Sequence, residues 1–427
     1  MLWGAMGWAT HYLGGDLTYD CLGPAPGNVT RYRLRFTLYR DCKGVLEAPT
    51  SVVVHCSSVQ CNVNRVVVIL NPVPGTGTDI TPTVACAGYV SSCASGGTNY
   101  GIQRWVYEGI VSLPAGCGSD WEFYTDDCCR SLSIDNLVDP GGTGSAFYAR
   151  LDNTVTPCNS SPRFTNLPQM FGCVNIPTLL NLGIVDPDRD SLVIELTNCR
   201  NNGPSAPNIS VSYAAPYSGT NPFPTSSGIL IQSNGLFSYI PSAPIRAVFC
   251  YRVREFRNGV EIGETFQDVY LVIQNCPSSS PPQSTGSTTV QPNPVNYDES
   301  NSNTFNFQAP VCPLGGGQSF CLNLRYTDNV NPSPANRLRA TVVQVPPGAT
   351  ATITGNNTNN VQVEICWTPT FADIGNHTVI VSVSNNACPI RGRWDYTYVL
   401  RVRAGLQKDN QIAVIRAPGD TVLTRDT

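Results

Sequence analysis

The sequence predicts an all-β protein: tandem disulfide-stapled β-sandwich domains of the Ig-like or cadherin-like kind, joined by short linkers. Three observations carry this. Only 13% of the residues are charged, while Gly (37) and Pro (34) are plentiful; Ser, Thr and Asn, which compete with the helical backbone for hydrogen bonds, take the surface places instead. Eighteen cysteines with no tandem C-x-x-C pairs at zinc spacing read as the disulfides of an exported chain. Short alternating runs, broken by Gly, Pro and Asn, recur along the whole length, and no stretch carries a helical stripe. At 427 residues the chain is too long for one ordinary core and suits about three domains. A net charge of −4 and a pI near 5.4 argue against nucleic acid, which calls for a basic face.

The first nine residues, "MLWGAMGWA", are apolar and end in small residues, as the remnant of a signal peptide would; a first β-strand is the other reading. Residues 10–158 form a Cys-rich β-domain. Its strands include "YRLRFTLY" (32–39), with Tyr32, Leu34, Phe36 and Leu38 on one face, then "RVVVIL" (65–70) and "RWVYEGIVSL" (104–113). Residues 159–276 form a second sandwich, with strands "SLVIEL", "VFCYRVREF" and "QDVYLVIQ". The Pro/Ser/Thr-rich stretch 277–304 lacks the apolar content for a core and reads as a linker. Residues 305–404 form another sandwich, and 405–427 the start of a further domain. No stretch reaches the length of a membrane span.

An internal repeat supports this division. "FSYIPSAPIRAVFCYRVREF" from Phe237 lies without a gap over "ICWTPTFADIGNHTVIVSVS" from Ile365, and "FQDVYLVI" over "WDYTYVLR" in the same register. A period above a hundred residues indicates duplicated domains rather than a solenoid. Tyr239 and Trp367, equivalent in the two copies, read as core residues. The cysteines divide ten, four and four among the three modules, as autonomous disulfide-bonded units require. In the third module the expected pairs are Cys321–Cys366, on neighbouring core strands, and Cys312–Cys388. The adjacent Cys128 and Cys129 are expected to join different strands, because neighbours in a strand face opposite ways; a vicinal bridge is the other reading.

Three aspartates alternate in "VDPDRDSL" (185–192). Asp186, Asp188 and Asp190 around Pro187 could converge on a hard cation with oxygen ligands, calcium being the candidate cofactor. The loop fails as an EF-hand, with Ser191 at the sixth position and Thr197 at the twelfth. It needs ligands from a distant strand, for which Glu255 and Asp268 are candidates. The competing reading is a tight turn capped by Asp side chains, with Arg189 neutralising part of the cluster. Trp105, Tyr107, Trp121, Phe123 and Tyr124 are a candidate aromatic platform for sugars or a partner if exposed, and core if buried. No G-x-S-x-G or H-E-x-x-H frame surrounds His11, His55 or His377, which read as structural. Asp126 and Asp127, as strand neighbours, point to opposite faces and do not make a glycosidase pair.

The ordered motifs "THYLGGDLTYDCLG", "YRLRFTLYRDCKG", "SPRFTNLP", "VDPDRDSL", "GLFSYIP", "VREFRNGVEIGETFQDVYLVIQNC", "LRYTD", "TITGNNTNN", "CWTPT" and "SNNACPIRG" cover nearly all of residues 10–403. Together they resemble the N-terminal region of large modular surface and secreted proteins of gliding bacteria, which use type IX secretion and carry a gliding-motility-associated C-terminal domain. Position 189 departs from that family's pattern, with Arg in its usual "DPDGD" loop, and Asp190-Ser191-Leu192 resembles an O-glycosylation triplet of that bacterial group. The resemblance implies surface display and adhesion or matrix roles, with no known chemistry; the partners expected of the chain are a cell surface, glycans, extracellular matrix or its own kind. Two further readings stand beside a non-enzymatic adhesive segment: the binding appendage of a larger secreted enzyme, and a self-assembling filament subunit.

Overall fold

The computed structural model describes residues 12–402 apart from 45–46, 82–89, 204–206, 234, 277–288, 292–303, 307–318, 329–336 and 388–390. Among these residues there is no α-helix, only strands and two 3-10 turns. The expected signal-peptide remnant, His11, the 405–427 segment and the Cys312–Cys388 pair lie outside the described residues.

The first module holds β1 (Tyr12–Ala25), β2 (Val29–Asp41), β3 (Val52–Ser58), β4 (Val63–Pro72), β5 (Thr78–Asp79), β6 (Ile102–Pro114), β7 (Trp121–Asp127) and β8 (Ser145–Leu151). The β1–β2 turn passes through Gly27 and Asn28 at φ 93° and 55°, the left-handed conformations that tight hairpins demand. Along β2 the alternation holds, with Tyr32, Leu34, Phe36 and Leu38 at most 2% exposed. Pairing then runs β1-β2-β6-β4-β3-β7-β8 and continues into β17 (Val260–Gln274), which pairs back with β1. The sheet is therefore a closed ring of strands. Its opposite halves face each other, as Tyr19 on β1 meets Phe123 on β7 and Phe36 on β2 meets Phe147 on β8. One core, including Leu17, Val54, Leu70 and Trp121, fills the space between.

The second module adds β9 (Arg163–Phe164), β10 (Phe171–Cys173), β11 (Thr178–Asn181), β12 (Ile184–Val185), β13 (Ser191–Thr197), β14 (Thr225–Ile231), β15 (Leu236–Pro241) and β16 (Ile245–Arg257) ahead of β17. Asn258-Gly259 turns β16 into β17, again with both φ values positive. The β13-β16-β17 layer packs on β14-β15-β11, with the Phe237 and Phe249 rings stacked between them. The third module contains β18 (Thr289–Gln291), β19 (Thr304–Asn306), β20 (Phe320–Thr327), β21 (Arg339–Gln344), β22 (Thr350–Thr354), β23 (Asn360–Trp367), β24 (Gly375–Ser384) and β25 (Arg393–Val402). Its layers are β21-β24-β25 and β22-β23-β20. Their inward side chains, among them Leu324, Val363, Val381 and Leu400, make a separate core. The two sandwiches thus repeat one strand order, hairpin for hairpin, and Tyr239 and Trp367 are both buried.

The module boundaries differ from the expected ones in kind. The division at 158/159 falls inside a continuous sheet, because the strand that closes the first ring belongs to the second module. Within the expected linker, β18 pairs with β20, and β19, which starts at the linker's last residue, pairs with β25, so short pieces of it join the third sandwich. The second and third modules also meet directly. Leu179 on β11 bridges Trp394 on β25, and buried Asp395 accepts from the Asn166 side chain (2.9 Å), the Asn181 N–H (3.1 Å) and Arg393.

Seven disulfides bond described cysteines: 21–158, 42–93, 61–117, 128–129, 173–276, 199–250 and 321–366. Each lies within one expected module. Cys321 and Cys366 sit directly opposite on β20 and β23. Cys128 and Cys129 bond each other instead of two separate strands. They follow the end of β7, where strand alternation no longer separates neighbouring side chains. Cys56 is free and buried, and burial pushes its thiol up to about 12.

Candidate functional site

Val185 ends β12 and Ser191 opens β13, so the acidic loop is a tight connection between two short strands. Asp186 organises it. Its Oδ1 accepts from the backbone N–H of Asp188 and of Asp190, both at 2.9 Å, an Asx-type turn. Arg189 sits at φ 68°, in the left-handed region; a glycine there, as in the pattern this loop resembles, would be free of that steric cost.

The long β16 strand brings Glu255 to the loop from far along the chain. Carboxylate oxygens of Asp186, Asp190 and Glu255 lie within 4.8 Å of one another. Glu255 is 0% exposed, its Oε2 accepts from the Asn159 side-chain amide at 2.9 Å, and its Oε1 has no donor. Asp186 Oδ2 is likewise buried without a partner. Burial and the facing Asp186 push the Glu255 carboxyl up to about 10, and burial raises Asp186 as well. Gly263 on β17 makes the space: a Cβ there would come within 2.6 Å of Glu255 Oε2 and 2.8 Å of the Tyr19 hydroxyl.

Two expected partners lie elsewhere. Asp268 is not a member of this cluster; the buried Arg130 guanidinium pairs with it instead, at 3.1 and 2.5 Å. Arg189 is not the neutralising cation either; Arg257, the last residue of β16, grips Asp190 at 2.7 and 2.5 Å and also donates to Asn159 and Thr156. Asp188 turns outward, accepting from the Ser160 N–H at 2.7 Å. Neither Asn159 nor Arg257 is signalled by the loop's own sequence. Ser191, of the glycosylation-like triplet, is exposed and pairs with Phe256.

The aromatic platform is core. Tyr107, Trp121 and Phe123 are 0% exposed, since the ring of strands turns that face inward. Trp105 is half-buried, stacked on Tyr107 and capped by Gly77, whose Cβ would lie 2.6 Å from the indole. Tyr124 packs at a tilt against His55, which also bonds Arg65. His377 packs on Trp367 and meets the Asp373 carbonyl at 2.7 Å. Asp126 and Asp127 accept from the Gly203 and Cys128 backbones respectively.

A concave site occurs instead where the first and second modules meet. A groove of about 610 Å³ is lined by Tyr100, Tyr270, Ser133, Asp135, Arg246 and Phe171, among others. Tyr100 meets Phe171 edge-on, and the Ser131, Ser133 and Tyr270 hydroxyls form a chain of contacts at 2.8 and 3.1 Å. Arg246 and Asp135 stand half exposed at the mouth, 3.9 Å apart. Sequence reading missed this site because its walls come from seven separate segments with no shared motif.

Seven disulfides within folded β modules are the mark of an extracellular protein, and among the described residues no helix is long and apolar enough to cross a membrane. No family profile matches the chain, and no curated protein is similar to it. Among solved structures it is similar to an endo-fucoidan hydrolase of glycoside hydrolase family 107, at 14% identity over 85% of this chain with a TM-score of 0.18. The chain spans 43% of that hydrolase's length. It is also similar to Dpr2 Ig1–Ig2 in complex with DIP-Theta Ig1–Ig3, at 7% identity over 87% of this chain and 94% of that one, TM-score 0.17. The N-terminal four Ig domains of Dscam1 match at 8% identity over 91% and 92%, TM-score 0.16. At such scores the likenesses carry no activity across to this chain.

Proposed function

We propose that the chain is a non-catalytic, adhesive segment of a multi-domain surface protein, of the kind its motifs resemble in gliding bacteria, and that it holds glycans in the groove between its first two modules. The groove is the observation that carries this reading. Aromatic rings beside hydroxyls, a carboxylate and a guanidinium suit a sugar's alternating apolar face and hydroxyl edge. The repeated sandwich supports a presenting role, since weak contacts multiply when a ligand recurs along a polymer. His55 and His377 are held by neighbouring groups in ways that suit structure.

The test is a glycan array probed with the oxidised full chain, followed by titration with the best polysaccharide. Binding is expected, weakened at least tenfold by Tyr100→Ala and by Arg246→Ala, with no release of reducing ends. Release of new reducing ends would replace the adhesive reading with an enzymatic one. Binding unaffected by both substitutions would remove the groove from it.

A further inference from the structure

We infer that Asp186, Asp190 and Glu255 form a calcium site that locks the seam between residues 10–158 and 159–276. Two oxygens bound to one calcium ion at about 2.3–2.6 Å can lie no more than roughly 5.2 Å apart. The three carboxylates meet that condition, each offering an oxygen within 4.8 Å of the others. Acidic clusters on surfaces are common, but this one is built inward. Glu255 is 0% exposed with Oε1 unmatched by any donor, and Asp186 Oδ2 is buried and unmatched beside it. A buried acceptor without a donor is costly; these two facing carboxyls can bond each other only through a shared proton, and a divalent cation between them satisfies both in its place. Arg257 does not fill this role, because its guanidinium is spent on Asp190, Asn159 and Thr156. The absent Cβ of Gly263 leaves the room that Glu255 occupies.

The position gives the site its purpose. Asn159 and Ser160, where the chain passes from the first module to the second, donate to Glu255 and Asp188. The next residue, Ser161, exchanges hydrogen bonds with Tyr19 on β1. An ion held by loop 185–191 and β16 therefore fixes the crossing segment to both modules. This role is independent of any glycan binding in the groove.

Calcium chloride is titrated into the chelator-treated full chain, followed by melting temperature and by calorimetry. Half-saturation is expected between roughly 0.1 and 1 mM, as in extracellular modules, with a rise of several degrees that chelator reverses. Magnesium at equal concentration should give a smaller rise. Terbium emission sensitised by tyrosine, with Tyr19 beside Glu255, reports the same site. Glu255→Gln keeps the volume and the acceptor for Asn159, and should abolish the calcium response while leaving circular dichroism unchanged; Asp186→Asn serves if that variant does not fold. A folded parent with no calcium-dependent shift would overturn the site and leave a shared proton between the two carboxyls. A shift that survives in both variants, or an equal response to magnesium, would overturn it too.

Discussion

Arg130→Met is the most informative perturbation of the framework. The Arg130 and Asp268 side chains are 2% and 0% exposed, and the guanidinium also donates to the carbonyls of Gly144 (2.8 Å) and Arg200 (3.3 Å). Removing one member of a buried pair leaves the other charge in a dry interior, at a cost of about 3–5 kcal/mol. Replacing both, as Arg130→Met with Asp268→Leu, removes that uncompensated charge. Only the two carbonyls then lose donors, at about 1 kcal/mol each. The double variant should therefore be more stable than Arg130→Met alone, with a coupling energy of about 4 kcal/mol or more. Urea unfolding by fluorescence supplies the energies, and hydrogen exchange in peptides 128–144 and 260–274 locates them. A single-variant loss below about 1 kcal/mol, or no coupling, would refute the claim that this pair is dry and mutually dependent. Calcium that rescues Arg130→Met would return Asp268 to the metal ligands and refute its assignment to Arg130.

Asp16, buried on β1 with Gln267 donating to it at 3.2 Å, has its carboxyl pushed up to about 6 by burial. The folded chain thus holds this proton more tightly than the unfolded one, and stability should fall as pH rises from about 4 to about 6, then level off. Asp16→Asn should remove that slope and gain at most about 3 kcal/mol at neutral pH, measured by urea unfolding across pH. Replacing Cys321 and Cys366 by Ala opens a loop of 45 residues; the chain-entropy relation gives a loss of about 4 kcal/mol, seen as an earlier calorimetric transition of the third sandwich. Residues 10–158 expressed alone lack the strand that closes their ring, so they should give the poorly dispersed amide spectrum of an unfolded or molten chain, whereas 10–276 should fold. Arg189→Gly should stabilise by about 1 kcal/mol by relieving the left-handed backbone; a loss measured by thermal unfolding would show that the Arg189 side chain contributes more than its strain costs.

The all-β class, the strand positions and the duplicated sandwich were legible because period-2 patterns and turn residues are local signals. Cys321 and Cys366 fell on strands that the pattern had marked as neighbours. Pairing between modules left no local trace. The aromatic residues at 105–124 show why: alternation identifies which residues share a face, but not whether that face looks into a closed ring or out to water. The acidic loop was visible as a motif, yet its two distant candidate ligands had equal standing in sequence. Glu255 and Asp268 occupy the two strands of one hairpin, paired to Gly263 and Cys250 respectively. Only the fold decides that the first meets the loop and the second meets Arg130.

β17 explains why the first two modules read as separate in sequence and are built as one interlocked body. One edge pairs with β16 along its whole length, while the other is divided among β8 at residues 263–265, β1 at 267–269 and β10 at 272–274. Residues 262–271 of the strand are also buried without a break, so both faces are covered, and its composition should then be a continuous apolar run. Instead Glu264, Gln267 and Asp268 are buried within it. Each has a partner from beyond its own hairpin: the Tyr148 hydroxyl for Glu264, Asp16 for Gln267 and Arg130 for Asp268. An apolar β17 could slide against several neighbours at little cost, whereas these polar side chains are satisfied in one register only. The residues that disguise the strand in sequence are thus the ones that fix how the first two modules join, and the seam they fix is where Glu255 meets the acidic loop.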